Sequence, residues 1–144
     1  MDLLKIARKP PVTLSPNDSV MTAVEKMNAA KVGAVAIVED GVLVGIFTER
    51  DVMNRLVLNK RSALDTQLKD VMTREPMVAP IKMDAREAFE SMTDENFRHL
   101  PIVDDEGVLL GMLSVRHMMK AIVVHLSHEL DGLSAYLGAD GIGG

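Results

Sequence analysis

The chain repeats itself, and that repeat constrains its fold more than any other feature. KVGAVAIVEDGVLVGIFTERDVM, Lys31 to Met53, lies over NFRHLPIVDDEGVLLGMLSVRHMM, Asn96 to Met119, with Glu106 as one inserted residue. Gly41 then stands over Gly107, Gly45 over Gly111 and Thr48 over Ser114. Upstream, Ala23, Val24 and Glu25 fall over Ala88, Phe89 and Glu90, and Ile6 and Pro11 over Val71 and Pro76. The offset is 65 residues, becoming 66 after the insertion. A spacing held over so much of the chain means two copies of one supersecondary unit.

Each copy reads as β-α-β-β-α. A short extended piece opens it, Val12-Thr13-Leu14 and then Met77-Val78-Ala79. Apolar residues at helical spacing, such as Val20, Ala23, Val24 and Met27, predict helices over 19–30 and 84–95. A hairpin follows, in which 35–38 and 42–47 flank Asp40-Gly41, a dipeptide suited to a tight turn because Gly tolerates positive φ. The second hairpin turns through Asp105-Glu106-Gly107. Thr48 and Ser114 are good N-caps for a second helix. A three-stranded sheet covered on one face is too small to stand alone, so the two units are expected to pack sheet to sheet in an α+β fold. The expected divisions are 1–60 for the first repeat with its lead-in, 61–135 for the second with a lead-in helix over 65–72, and 136–144 as a flexible tail. The last helix outgrows its repeat. Val115, Met119, Ile122, Leu126, Leu130, Leu133 and Leu137 keep one apolar face going, to meet a partner or to fold back on the chain.

Composition narrows the classes. At 47% hydrophobic and 26% charged, the 144 residues suit a soluble globular protein, with the 11 methionines as core filler. No apolar run approaches the roughly 20 residues that cross a bilayer, and the first residues lack the apolar core of a secretory signal. With no cysteine, a reducing cytoplasm is the expected location. The net charge of −5 disfavours nucleic acid, although Lys5, Arg8, Lys9 and Lys60-Arg61 form small basic patches. No P-loop, dinucleotide fingerprint or GxSxG occurs, so no enzyme is expected. His117, His125 and His128 share one side of the last helix without a third ligand segment, and no metal is expected there.

LKDVMTREP (Leu68 to Pro76), RHLPIVDDEG (Arg98 to Gly107) and the ends GIFTERD and GMLSVRH together resemble a tandem pair of cystathionine-β-synthase (CBS) domains, the Bateman module of stand-alone bacterial proteins. The likeness covers about residues 3–125. It implies a pseudo-twofold pair and a non-catalytic regulator that takes an adenosine-containing ligand between its repeats. AMP, ADP or ATP leads, with S-adenosylmethionine and NAD sharing the adenosine handle. It further implies a homodimer and a regulated partner protein, with no nucleic acid, membrane or required cofactor.

Thr48 and Asp51, three residues apart, form a helix capping box, and the same atoms could serve a ligand. The hydroxyl and free N–H groups suit a phosphate, and the carboxylate has acceptors for both hydroxyls of a ribose. The resemblance carries the ribose role to Asp51 and the phosphate role to Thr48. It sets Val78, Ala79, Pro80, Phe97, Arg98, His99, Leu100 and Pro101 as the opposite wall. A second cleft would use Ser114 and His117 opposite Thr13, Ser15, Pro16, Val32, Gly33, Ala34 and Val35. There His117 replaces the acid and cannot accept two hydroxyls, while Gly33-Ala34 brings no charge where Arg98-His99 stand in the first. One competent and one weaker site per chain are expected. The alternative is a constitutive dimerisation scaffold with vestigial clefts.

Overall fold

The structure, a computed structural model, describes residues 2–139, with side chains up to residue 133. The first repeat runs through β1 (Thr13–Leu14), α2 (Val20–Ala30), β2 (Ala34–Glu39), β3 (Val42–Thr48) and α3 (Glu49–Asp51). Ahead of it lies α1 (Leu3–Ile6). The second repeat has β5 (Ala79–Pro80), α5 (Ala85–Asp94), β6 (His99–Val103), β7 (Leu109–Ser114) and α6 (Val115–Ala139), preceded by α4 (Leu68–Val71) and β4 (Thr73–Arg74). In both copies a parallel β-pair (β1 with β2, β5 with β6) brackets the first helix, and an antiparallel hairpin follows. The tight turn at Asp40-Gly41 has φ of 51° and 80°, as the sequence required. Lys31 and Asn96, at matching positions, both take left-handed φ (57° and 58°) to end the first helix of their repeat.

Strand alternation assigns each sheet two buried faces. Val35, Ile37 and Phe47 pack with Val20, Ala23 and Met27 beneath the helix, while Ala34, Ala36 and Ile46 meet Met112 of the other repeat. Leu100, Ile102 and Leu113 pack with Ala88 and Met92 in the second core. The hairpins close the pseudo-twofold. Leu43 N–H donates to the Gly107 carbonyl at 3.0 Å, and Leu109 N–H to the Gly41 carbonyl at 3.1 Å. The α+β pair packed sheet to sheet is therefore the observed fold.

The lead-in segments are traded between the repeats. Leu68, Val71 and Met72 lie in the first core, and β4 adds a fourth strand beside β3. Leu3 lies in the second core, and Arg8 exchanges both backbone hydrogen bonds with Met112 of β7. The expectation of three strands per unit thus fails for the first sheet, because each hairpin edge would otherwise leave its N–H and C=O groups unpaired. Gly45 and Gly111 permit this approach: a Cβ on Gly45 would stand 3.0 Å from the Thr73 carbonyl oxygen, and on Gly111 3.3 Å from that of Arg8.

Three elements depart from expectation in length. The lead-in helix predicted over 65–72 is a single turn, Leu68–Val71, since Asp18 and Pro16 carbonyls take the Leu68 and Lys69 N–H groups and pin its start. The helix capped by Thr48 gives way after Asp51 to a π-helical stretch, Val52–Val57. The final helix continues to Ala139, so residues 136–139 are helical rather than tail; residues 140–144 and the Leu137 side chain lie outside the described residues. Met119, Val123, Leu126, Leu130 and Leu133 are exposed, so this face does not fold back on its own chain. No helix is long and apolar enough to cross a membrane among the described residues.

Candidate functional site: two hollows between the repeats

The trade of lead-ins and the hairpin pairing leave a hollow on each side of the pseudo-twofold. The one beside Asp51 encloses about 700 Å³ and is lined by Thr48, Arg50, Asp51 and Met53 from the first repeat. Met77, Asn96, Phe97, Arg98 and His99 line it from the second. The Asp51 side chain is 15% exposed and closes the capping box: Oδ2 accepts the Thr48 N–H at 2.9 Å, and Thr48 Oγ1 accepts the Asp51 N–H at 3.3 Å. Oδ1 lies 3.4 Å from Arg55 Nε. An ionised carboxylate has about four acceptor positions, so two remain for a ligand without opening the cap.

Arg55 is one residue beside this hollow that sequence reasoning missed. Its Nη1 donates to the Val71 and Met72 carbonyls at 2.7 and 3.1 Å, and its Nη2 reaches Thr73 Oγ1 at 3.1 Å. One side chain therefore ties Asp51 to the lead-in of the second repeat. The i, i+4 spacing from Asp51 was the available signal, but it marks any helical ion pair.

Of the expected wall, Phe97, Arg98 and His99 line this hollow, and Val78, Ala79, Pro80, Leu100 and Pro101 do not. Ala79 and Leu100 belong to the second core, Pro101 is fully buried, and Ala79 and Pro80 are paired to β6. Met77, just ahead of β5, takes the place assigned to them. In the repeat its counterpart is Val12, which lines the other hollow.

That second hollow is the larger, about 1090 Å³. Val32, Gly33, Ala34, Ser114 and His117 line it as expected; Thr13, Ser15, Pro16 and Val35 do not. Val35 points into the first core, Thr13 is engaged in β1, and the Ser15 N–H is held by Asp18 while Pro16 lines a separate groove with Met72 and Arg74. The expected lack of charge opposite Ser114 and His117 is corrected by tertiary structure. Arg8, Lys31, Arg98 and Arg116 all line this hollow, with Glu49 as its one acid among the lining residues. The Ser114 Oγ accepts the His117 N–H at 3.0 Å, matching Thr48 and Asp51, but His117 Nδ1 is buried with no partner.

Gly33, Glu49, Arg98 and His99 border both hollows. Burial holds His99 below the ordinary histidine range, against the pull of Glu49, with His117 and Arg98 adding to the lowering. His117 is lowered too, first by its partial burial and then by Arg116, Arg8 and Lys120. Among the described residues no group of acidic, histidine or cysteine side chains is placed to hold a metal ion.

Two stacked repeats with paired inter-repeat hollows define a CBS pair, and the CBS domain profile matches residues 3–58 and 68–124, so the chain belongs to the CBS-domain family. It is 34% identical to the mitochondrial CBS domain-containing protein CBSX3 of Arabidopsis thaliana over 126 residues, 84% of this chain and 61% of that one. The structure of a CBS-domain protein from Burkholderia ambifaria superposes with a TM-score of 0.78 at 28% identity, covering 86% of this chain and 93% of the other. The CBS domain pair of MJ0100, solved with 5′-methylthioadenosine and S-adenosyl-L-methionine, matches at a TM-score of 0.78 and 25% identity, over 87% of this chain and 98% of that one.

Proposed function

We propose that the chain is a non-catalytic regulatory module that binds one adenosine-containing ligand in the hollow beside Asp51. The observation that carries this reading is the Asp51 carboxylate. It is half-satisfied by its own backbone and faces a hollow whose far side offers Phe97 for stacking and the Arg98 guanidinium for phosphate. A hollow of about 700 Å³ suits a nucleoside ligand. That a CBS pair of like fold was solved with two adenosine compounds supports the ligand class. Only Arg50 and Arg98 stand as arginines here, which favours AMP or ADP over ATP; S-adenosylmethionine and NAD remain alternatives sharing the sugar.

Occupancy is coupled to the arrangement of a homodimer, and through it to a regulated protein. The apolar faces agree with this: Met53 and Val57 of the first repeat are exposed at the positions matching Met119 and Val123 of the second. A partner seated on both would bury them symmetrically. The absence of cysteine fits a reducing compartment such as the cytoplasm.

Calorimetric titration with AMP, ADP, ATP, S-adenosylmethionine and NADH tests the reading. One adenosine ligand per chain is expected, with affinity lost in Asp51→Asn, which keeps a cap acceptor but removes the charge. The second reading, a constitutive scaffold, is favoured by His117, which stands in the second repeat where the first has Asp51. It gains if none of the five binds while dimerisation is intact.

A further inference from the structure

The smaller hollow carries more acid than its ribose site needs. In its lining, Arg50 and Arg98 face three carboxylates, those of Glu49, Asp51 and Glu95. Asp51 is engaged in its cap and its pair with Arg55. Glu49 is exposed and belongs to none of the ion pairs among the described residues, which are Arg55–Asp51, Arg86–Glu90 and His125–Glu129. Its position is fixed all the same. The Glu49 N–H donates to the Gly33 carbonyl at 3.0 Å, and the missing side chain of Gly33 leaves room for the carboxylate. A Cβ on Gly33 would stand 3.0 Å from Glu49 Oε1 and 3.2 Å from His99 Cε1. The carboxylate therefore stands close to the His99 ring, on the border between the hollows that Arg98 also lines. His99 does not offset it at neutral pH, since burial holds the ring below the ordinary histidine range and so uncharged. Arg98 is the one cation that the second repeat gives to this lining, and Thr48, the other group suited to phosphate, directly precedes Glu49 in the chain. An anion held by Thr48 and Arg98 thus has an uncompensated carboxylate as its neighbour, and each further phosphate adds repulsion.

We propose that Glu49 is a specificity-determining residue of this hollow: its carboxylate limits the phosphate tail of an adenosine ligand, so that AMP is taken in preference to ATP. This role rests on the adenosine reading, and it decides among the nucleotides that reading admits. The experiment is calorimetric titration of AMP, ADP and ATP into the full chain at neutral pH and low salt, with divalent cations removed so that the phosphates keep their charge. In the parent, affinity is expected to fall from AMP to ADP to ATP. Glu49→Gln, similar in size and uncharged, is expected to narrow the ratio of AMP to ATP affinity at least about fivefold, mainly by strengthening ATP. Glu49→Asp keeps the charge and should keep most of the preference. High salt should shrink the difference between the parent and Glu49→Gln. A merely structural role would shift the three nucleotides alike, so the ratio separates the two. The side chain is exposed, so melting temperature should stay nearly unchanged in both variants. The proposal is overturned if the parent binds ATP as tightly as AMP, if Glu49→Gln moves all three affinities equally or not at all, or if Glu49→Asp loses the preference as fully as Glu49→Gln. Asp51→Asn tells these failures from failure of the adenosine reading. Binding lost in Asp51→Asn, with the ratio unchanged in Glu49→Gln, removes only the charge filter; a parent that binds none of the three nucleotides removes both.

Discussion

At the residue scale, Asp51 serves the fold and the site with different lone pairs. Asp51→Ala removes the acceptor for the Thr48 N–H and the partner of Arg55. Loss of such a cap costs about 1 kcal/mol, or about 4 °C in melting temperature for a chain of this size, and the nucleotide-induced shift should vanish with it. Thermal melts with and without AMP read both effects. Gly45 and Gly111 make a second contrast. A Cβ on Gly45 would sit 2.6 Å from Met72 Sδ and 3.0 Å from a backbone oxygen, but on Gly111 it meets nothing closer than 3.3 Å. Gly45→Ala is therefore expected to destabilise by about 1–3 kcal/mol in urea unfolding, and Gly111→Ala by clearly less. The histidines predict a pH dependence. His99, facing Glu49, His117 and Arg98, and His117, facing Arg116, Arg8 and Lys120, both titrate below 6.5 in the folded chain. The unfolded chain then binds more protons as pH falls, so their contribution is intact above that value and declines as pH drops through it. Melting temperature measured between about pH 7.5 and 5.5 should fall, and His117→Gln should flatten part of the slope.

At the scale of elements, the π-helical stretch after α3 has a mechanical consequence. It follows the capped turn directly and buries Leu56 while leaving Met53 and Val57 exposed. Such stretches tend to mark functional positions in helices. From it Arg55 reaches two carbonyls of the α4–β4 lead-in, so a ligand that draws on Asp51 changes the partner of the group holding that lead-in. Arg55→Met is expected to speed amide hydrogen exchange across 68–74 and to reduce its slowing on nucleotide binding. Hydrogen-exchange mass spectrometry with and without AMP would show unchanged protection there if Arg55 were only a surface contact.

At the scale of the whole molecule, α6 carries its apolar row beyond the matched family region, which ends at residue 124. Leu126, Leu130 and Leu133 are 51, 64 and 53% exposed, more apolar surface than a lone helix gains by leaving in water. Sedimentation equilibrium should find a dimer. Leu126→Glu with Leu130→Glu should dissociate it, with a fall in melting temperature that depends on protein concentration in the parent and not in the variant. A monomeric parent protein would remove dimer arrangement as the output of ligand binding.

The repeat, the hairpins, the two caps and the exposed row on the last helix were all legible in the sequence, because each depends on residues close in the chain or on a period. Asp51, Thr48, Ser114 and His117 could be picked out for the same reason. The far walls could not. Whether Met77 or Ala79 faces a hollow depends on which residue β6 pairs, and Arg8 reaches the second hollow only because its segment crosses to the edge of β7. Local sequence determines most elements; the start of the lead-in helix and the charge and lining of a space between two repeats are decided by contacts between residues far apart in the chain, which no neighbouring residue encodes.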